Sequence, residues 1–441
     1  MIGRLLFQFT HRLRGSQSLR LLEEIQNRPF SADPASHQFV LLRNLLIHAE
    51  AKVPYYRDLF RRIGLRAADI HTTADIARIP ILTKDIIRAQ GDNMLREDMS
   101  KSTFQPHFSG GSTGVPLAFF RETVYMDRSD AGMYRNLIQC GWKPGEMVAF
   151  FWGFNEKHAA MSGFEFEARQ RIRRFYQFDP FQSGPRDMDR WIQKWPGIGP
   201  AALLGYASTV ARFARHIEER GVRLPALKGV FTTAEKLYAP QRAQISRVFG
   251  CPVFDSYGSS EVQNIATECA KGGMHVNADF VFVEPHPDTA PGEVGPFLLT
   301  SLWNYAMPFI RYRNEDAGAL STENCECGNC FPLMRLEISR VSDNFAFPGG
   351  KVVHGEYFTH LMYGSEGIDS FQFHQTSAET IILWIVPGTG SEVGRREAIR
   401  KAVAEVDRLA AGAVRLEVKE TTQIPLSRAG KHRFTRSDVA L

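Results

Sequence analysis

The sequence predicts an α/β protein in two parts, a large N-terminal domain of mixed β-sheets and helices, residues 1–340, and a small α+β domain, residues 341–441. Three observations carry that expectation. Beyond Pro80, short apolar stretches bounded by glycine and proline (MVAFFWGF, AALLGY, LKGVFTTAE, CPVFDSYG) alternate with helical patterns such as VARFARHIEER and PQRAQISRVFG, the rhythm of a layered α/β sheet. After Arg340 a fresh pattern begins, with SFQFHQ, TIILWIV and VRLEVKE set around the helical REAIRKAVAEVDRL. The chain has 441 residues, 44% hydrophobic and 23% charged, which is too long for one small core.

Taken in order, the N-terminal MIGRLLFQFTHRLRGSQSLR has basic residues on both sides of a brief apolar patch. It reads as an amphipathic helix lying on the domain, with contact to a membrane surface as the alternative. From Leu19 to Leu59 the apolar positions recur at helical spacing, broken at Pro34 and Pro54, so residues 1–75 form a helical part. Between Pro285 and Arg313, PGEVGPFLLTSL and PFIRYR read as strands joined by turns. PGTGSEVG is one residue too long for a dinucleotide loop and reads as a strand-to-helix turn. EARQRIRRF and RREAIRK read as solvated helix faces.

Several function classes fall away. A net charge of +5 over this length is far from a nucleic-acid-binding field. The apolar runs, such as Ile381 to Val386, fall well short of the ~20 residues that span a bilayer, so no transmembrane segment is expected. Six cysteines, three of them in CECGNC, suit a reducing compartment and a metal rather than a disulfide framework, and the cytoplasm is the expected location.

Four stretches carry chemistry. FSGGSTGVP, Phe108 to Pro116, leaves backbone N–H groups uncovered, permits positive φ and offers hydroxyls, a cradle for phosphate oxygens without the Walker lysine. FDSYGSSEV sets Glu261 after a buried strand, where a carboxylate beside a nucleotide suits Mg2+. PFIRYRNEDAG offers Asp316 as an acceptor for ribose hydroxyls, and IPLSRAGKHRF puts Lys431 in a glycine-containing turn.

In that order the stretches resemble the adenylate-forming superfamily of acyl-CoA synthetases, in its phenylacetate–CoA ligase and CapK-like branch. VPYYRDLF at Val53, IPILTKDIIR at Ile79, SGGSTGVP at Ser109, FTTAEKL at Phe231, YGSSE at Tyr257, RYRNEDAG at Arg311 and CECG at Cys325 are its branch features, so the likeness covers Val53 to Arg433. The resemblance implies that Ser109, Gly110, Gly111, Ser112, Thr113 and Gly114 wrap the β- and γ-phosphates of ATP, with Thr113 among the catalytic hydroxyls. It further implies that Tyr257 stacks on adenine beside Gly258 and Ser259, and that Ala234 and Glu235 line the adenine edge. Glu261 would hold Mg2+, Asp316 the ribose and Arg340 the ribose or α-phosphate, with Lys431 as the lysine of the adenylation step. The chain departs from the pattern at Val115, where many relatives carry lysine, at Asn314 and Glu315, and at Ser342, taken as the hinge position.

The implied activity is an ATP-dependent, AMP-forming ligase that activates a small carboxylic acid and transfers it to CoA, to an acyl-carrier protein's phosphopantetheine or to an amine. The alternative is a non-catalytic nucleotide-binding relative acting as a scaffold. A homodimer is left open. Independently, Cys269 and His275 form a C-x5-H pair, and with Cys325 and Cys327 of CECGNC they suit a structural tetrahedral Zn2+, with Cys330 able to displace one ligand. Trp152, Phe154 and Tyr206 are weighed as acid-pocket lining against core positions, and Lys351, Lys401 and Lys419 read as solvated surface charges.

Overall fold

A computed structural model describes residues 2–27, 34–109, 117–153, 163–180, 183–290, 292–321, 323–338, 344–353, 355–362, 365–388, 391–425 and 433–439. The first helices are α1 (Ile2–Leu13), α2 (Ser18–Asn27), α3 (Pro34–Lys52), α4 (Pro54–Arg62) and α5 (Lys84–Gln90). Pro34 and Pro54 each open a helix, as a residue without an N–H does at least cost in the first turn. A hairpin of β1 (Gln105–Ser109) and β2 (Leu117–Arg121) follows, then α6 (Thr123–Ile138).

The α/β alternation is observed where it was expected, in β3 (Val148–Phe151), α7 (Gly163–Arg173), β4 (Phe175–Phe178), α8 (Pro185–Ile198), β5 (Ala202–Tyr206), α9 (Ala207–Glu219), β6 (Gly229–Thr233), α10 (Ala239–Phe249) and β7 (Val253–Tyr257). After it come β8 (Ala266–Glu268), β9 (Met274–Val276), β10 (Val281–Pro285), β11 (Gly295–Ser301), β12 (Tyr312–Ser321) and β13 (Leu333–Ile338). Among the described residues these strands form one eleven-stranded sheet, ordered β10-β11-β12-β13-β9-β8-β7-β6-β5-β3-β4. Strands β4, β3, β5, β6 and β7 are parallel, and from β7 onward every pairing is antiparallel, so β7 is the seam between two kinds of sheet.

Alternation of side chains explains the layers. In β3, Ala149 and Phe151 point into a core with Phe213 of α9 and Ile245 of α10, whereas Val148 points to the other face, with Phe7 of α1, Leu21 of α2 and Tyr134 of α6. Strand β5 is buried throughout, as a parallel strand covered on both faces must be. A Cβ on its Gly205 would come within 2.5 Å of Phe151 Cβ, so glycine permits that close packing. Helices α3 and α4 instead pack on the antiparallel half, where Leu42, Tyr56 and Phe60 join Leu299 and Tyr312.

PFIRYR is not one strand. Arg311 adopts φ 53°, and β12 begins only at Tyr312. The Arg311 guanidinium turns inward to the carbonyls of Ala77 (2.9 Å) and Ile79 (2.5 Å) and to Glu284, which fixes the kink.

The strands after residue 344 belong to separate sheets. A hairpin of β14 (Phe345–Ala346) and β15 (Val352–Val353) precedes α11 (Gly355–Leu361), β16 (Ile368–Ser377), β17 (Thr380–Pro387), α12 (Glu392–Ala410), β18 (Arg415–Glu420) and β19 (Thr435–Ser437), the last strands pairing as β18-β17-β16-β19. Ala398, Ala402 and Val406 of α12 pack on Phe371, Phe373 and Ile381 of this sheet. The same cluster reaches Tyr206 at the end of β5, and Ser183 donates its N–H and its hydroxyl to the Val352 carbonyl at 3.5 and 3.4 Å.

Candidate functional site

In open α/β sheets, ligands gather beyond the carboxyl ends of the parallel strands. There the chain places Tyr206 (β5), Ala234 and Glu235 (after β6), and Tyr257, Gly258 and Ser259 (at and after β7). Tyr257 is buried in the large core cluster, and its phenol donates to Asp316 Oδ2 at 2.9 Å. Asn314 Nδ2 lies 2.7 Å from the Tyr257 oxygen and 3.0 Å from the same Asp316 oxygen, while Asn314 Oδ1 accepts the Asp316 N–H at 3.3 Å. One amide thus clamps the proposed adenine and ribose residues together. The sequence marked Asn314 only as a departure from the family pattern, and its two-residue spacing from Asp316 along β12, which puts both on one face, was the available signal.

Glu261 follows Tyr257 through a tight turn in which Ser259 N–H donates to the Val262 carbonyl (2.9 Å) and Val262 N–H to Ser259 Oγ (3.0 Å). Its carboxylate is 1% exposed and accepts the Tyr312 phenol at 2.8 Å. The cation beside it is Arg121 of β2, a residue sequence reasoning passed over. Arg121 is buried, donates to the Ser260 carbonyl and lies 5.1 Å from the Phe119 ring centre. Burial lowers its pKa and the neighbouring Glu261 opposes that shift, as a buried opposite charge does. His107, in β1 beside Arg121, is held near 4 by burial and then by that guanidinium, so it is neutral at physiological pH.

Glu235 is engaged at the neighbouring strand end, just past β5. Ala234 adopts φ 68°, and the Glu235 carboxylate accepts the Ser208 N–H at 2.7 Å, at the start of α9, where a negative charge meets unsatisfied N–H groups. Trp152 and Tyr206 stack face to face with ring centres 4.7 Å apart; Tyr206, 1% exposed, is a core residue of the contact with the C-terminal sheet, and the half-buried Trp152 packs against that core. Lys351 is not a solvated charge: its Nζ donates to the Leu409 carbonyl at 2.8 Å, and burial lowers its pKa. Ser109 is buried at the end of β1. Gly110, Gly111, Ser112, Thr113, Gly114, Val115, Phe154, Arg340, Ser342 and Lys431 lie outside the described residues.

The cysteine cluster is assembled. Cys269, His275, Cys325 and Cys327 place one ligand atom each within 4.8 Å of one another, and Cys330 is not among them. Cys269 Sγ is 3.7 Å from Cys325 Sγ, and Cys327 Sγ is 3.2 Å from His275 Nε2. His275 Nδ1 sits 2.9 Å from the Phe331 carbonyl, which fixes the tautomer that turns Nε2 toward the thiols. Asn329 N–H donates to Cys327 Sγ at 3.4 Å. Gly273 closes the cage, since a Cβ there would lie 2.9 Å from Cys325 Sγ. A backbone N–H from Cys327 is the main cause that pulls Cys325 down to about 7.

No family model matches the chain. CapK of Staphylococcus aureus is 22% identical over 407 residues, covering 87% of this chain and 85% of that protein. A phenylacetate-coenzyme A ligase of Thermus thermophilus is 25% identical over 350 residues, covering 75% and 76%. Among solved structures, 2-hydroxyisobutyryl-CoA ligase in complex with 2-HIB-AMP and CoA matches with a TM-score of 0.60 at 19% identity over 92% of this chain and 90% of that one, a likeness of fold. Along most of its length, then, the chain is similar to CapK and to the phenylacetate-coenzyme A ligases, and it shares the fold of an acyl-CoA ligase, which supports the adenylate-forming superfamily.

Proposed function

We propose that the protein is an ATP-dependent, AMP-forming ligase that activates a small carboxylic acid as its acyl-adenylate and passes the acyl group to a thiol. CoA is the first acceptor to consider, and a carrier-protein phosphopantetheine or an amine the next. The observation that carries this reading is the convergence of Tyr257, Asn314 and Asp316, with Glu261 beside them, at the sheet seam. A substrate carboxylate oxygen bonds to the α-phosphorus of ATP as the bond to pyrophosphate breaks. The acceptor sulfur then bonds to the acyl carbon, its proton is lost and AMP departs with the bonding pair. Asp316, fixed by Tyr257 and Asn314, orients the ribose, and catalysis is mostly positioning and charge neutralisation.

Glu261 fits Mg2+ by its chemistry, a hard carboxylate anchored by Tyr312 where phosphates would lie. When bound, that ion supplies charge neutralisation to the phosphates. The glycine loop through Gly114, Arg340 and Lys431 keep the roles their motifs imply, and residues 341–441 act as the lid, with the division close to Arg340. The three thiols and one imidazole fit a structural Zn2+, which needs thiolates and hence a reducing compartment such as the cytoplasm.

The test is acid-dependent exchange of pyrophosphate into ATP, and AMP release with and without CoA, across aryl, fatty and amino acids. Exchange with one acid class and CoA-dependent turnover are expected. ATP binding without exchange for any acid would instead identify a non-catalytic nucleotide-binding relative.

A further inference from the structure

Helix α1 is docked with its apolar stripe outward. Phe7 and Thr10 are buried, and Gly3 fits where a Cβ would lie 2.9 Å from the Gly145 carbonyl and 3.1 Å from the Arg174 guanidinium. His11 lies at 2.9 and 3.1 Å from Ser18 and Ser16. Leu5, Phe9 and Leu13, four residues apart and so on one side of a helix with about 3.6 residues per turn, are 58%, 58% and 72% exposed. Leu6 flanks them at 38%. An ordinary surface helix buries such a stripe.

The surroundings are basic. No acidic residue precedes Glu23, while Arg4, Arg12, Arg14 and Arg20 fall within that segment. Helix α7, which receives the Thr10 hydroxyl on its Ile172 carbonyl at 3.5 Å, adds a 44% exposed Ile172 side chain and Arg169, Arg171 and Arg173. Arg14, Arg169 and Arg173 are close enough to disfavour one another's charge, an effect second to burial. Of the acids nearby, Asp127 accepts Ser16 Oγ and Gln17 N–H at 2.6 and 2.9 Å and Glu167 holds Lys194 and Tyr176, while Glu23 of α2 and Glu165 in the first turn of α7 are exposed.

We propose that α1, with Ile172 of α7, is an in-plane docking surface for an anionic lipid bilayer. An exposed apolar stripe on a helix that carries arginines and no acid, beside the three arginines of α7, is the pattern of an interfacial helix. Twelve residues cannot span a bilayer, so the helix lies along the headgroups with Leu5, Phe9 and Leu13 inserted. Charge decides between a lipid surface and a second copy of the chain. An isologous contact would bring Arg4, Arg12 and Arg14 against their own copies, whereas anionic headgroups neutralise them.

Co-sedimentation of the full chain with vesicles of phosphatidylcholine alone, or with one-third phosphatidylglycerol, tests this. Binding to the anionic vesicles that weakens with salt is expected, and Phe9→Glu with Leu13→Glu should weaken it about tenfold or more. Both positions face solvent, so the melting temperature should hold. Arg4→Ala with Arg12→Ala should lower the preference for anionic over neutral vesicles. Binding to neither vesicle, equal binding to both, or a dimeric wild type that Phe9→Glu converts to monomer without altering sedimentation would each overturn the proposal.

Discussion

Tyr257 and Asp316, fifty-nine residues apart, are joined by a hydrogen bond of 2.9 Å that ties the last parallel strand to the antiparallel half of the sheet. A phenol donating to a buried carboxylate restrains both partners, and the ribose contact proposed for Asp316 inherits that restraint. Tyr257→Phe keeps the ring and removes the donor. A hydrogen bond to a charged group contributes roughly 1.5–3 kcal/mol, so the KM for ATP should rise about tenfold while acid affinity changes little. Steady-state kinetics with ATP varied checks this. An unchanged KM in Tyr257→Phe beside a raised KM in Asp316→Asn would remove the network from nucleotide positioning.

Glu261→Ala should impair Mg2+-dependent AMP formation more than nucleotide binding, because charge grows on pyrophosphate as it leaves. Tyr312→Phe, which removes the 2.8 Å donor to the carboxylate, should have a smaller effect in the same direction. AMP formation at saturating Mg2+ and acid, compared with ATP affinity by calorimetry, separates the two quantities. Wild-type turnover in Glu261→Ala would exclude it as a metal ligand.

Much of this site was readable because it lies in motifs local in sequence. FDSYGSSEV carries a strand, a turn and an acid within nine residues, and the buried strands β3, β5, β6 and β7 announce themselves as apolar runs between glycines and prolines. What escaped depends on long-range partners. Asn314 acquires its role only when β12 brings it to Tyr257, fifty-seven residues earlier, and Arg121 only when β2 lies against the Ser260 carbonyl. Glu235 is captured by Ser208, whose helix start no local pattern relates to it. In α1 the periodicity defines an apolar face, but whether that face is buried depends on where the helix docks.

Zinc removal should destabilise without abolishing chemistry. The four ligands join segments fifty-six residues apart at Cys269 and Cys325, so an ion there closes a long loop, and structural zinc contributes to folding directly. Protein purified without added metal should carry one equivalent by elemental analysis. Cys325→Ser should lower the melting temperature by roughly 5 °C or more, as loss of a folding-coupled ion does. Less than a tenth of an equivalent in well-folded protein would end the assignment.

Asp255, two residues before Tyr257, gives a pH dependence with a definite sign. Burial raises its pKa from 3.8 to about 6, against the opposing Thr232 hydroxyl and with a further push from Glu268. Because the folded value exceeds the unfolded one, its contribution is fully present below pH 3.8 and is lost as pH rises through about 6. Asp255→Asn retains an acceptor for Thr232 and Ser256 and carries no charge. It should raise the melting temperature relative to wild type at pH 8, with the gain shrinking toward pH 4. A gain independent of pH would mean that burial of the charge is not its cause.

Lys431 lies outside the described residues, and its proposed role rests on the motif IPLSRAGKHRF. An ammonium contributed by a separate domain can serve adenylation and then withdraw, which lets one site perform two reactions that need different groups around the same phosphate. Bridging the attacking carboxylate and the α-phosphate, it would act on the transition state more than on bound ATP. Lys431→Ala should cut acyl-adenylate formation roughly a hundredfold, the scale of losing one preorganised charge contact, and leave ATP affinity within a few fold. Synthetic acyl-adenylate should restore transfer to the acceptor. Lys401 and Lys419 serve as controls, since they pair with Glu397 at 4.0 Å and Glu417 at 3.2 Å on the surface. Lys351 cannot serve, because its bond to the Leu409 carbonyl makes it structural. A Lys431→Ala enzyme that forms adenylate at the wild-type rate, or fails equally in both half-reactions, would refute the alternating lysine while leaving the ligase assignment to stand on its own test.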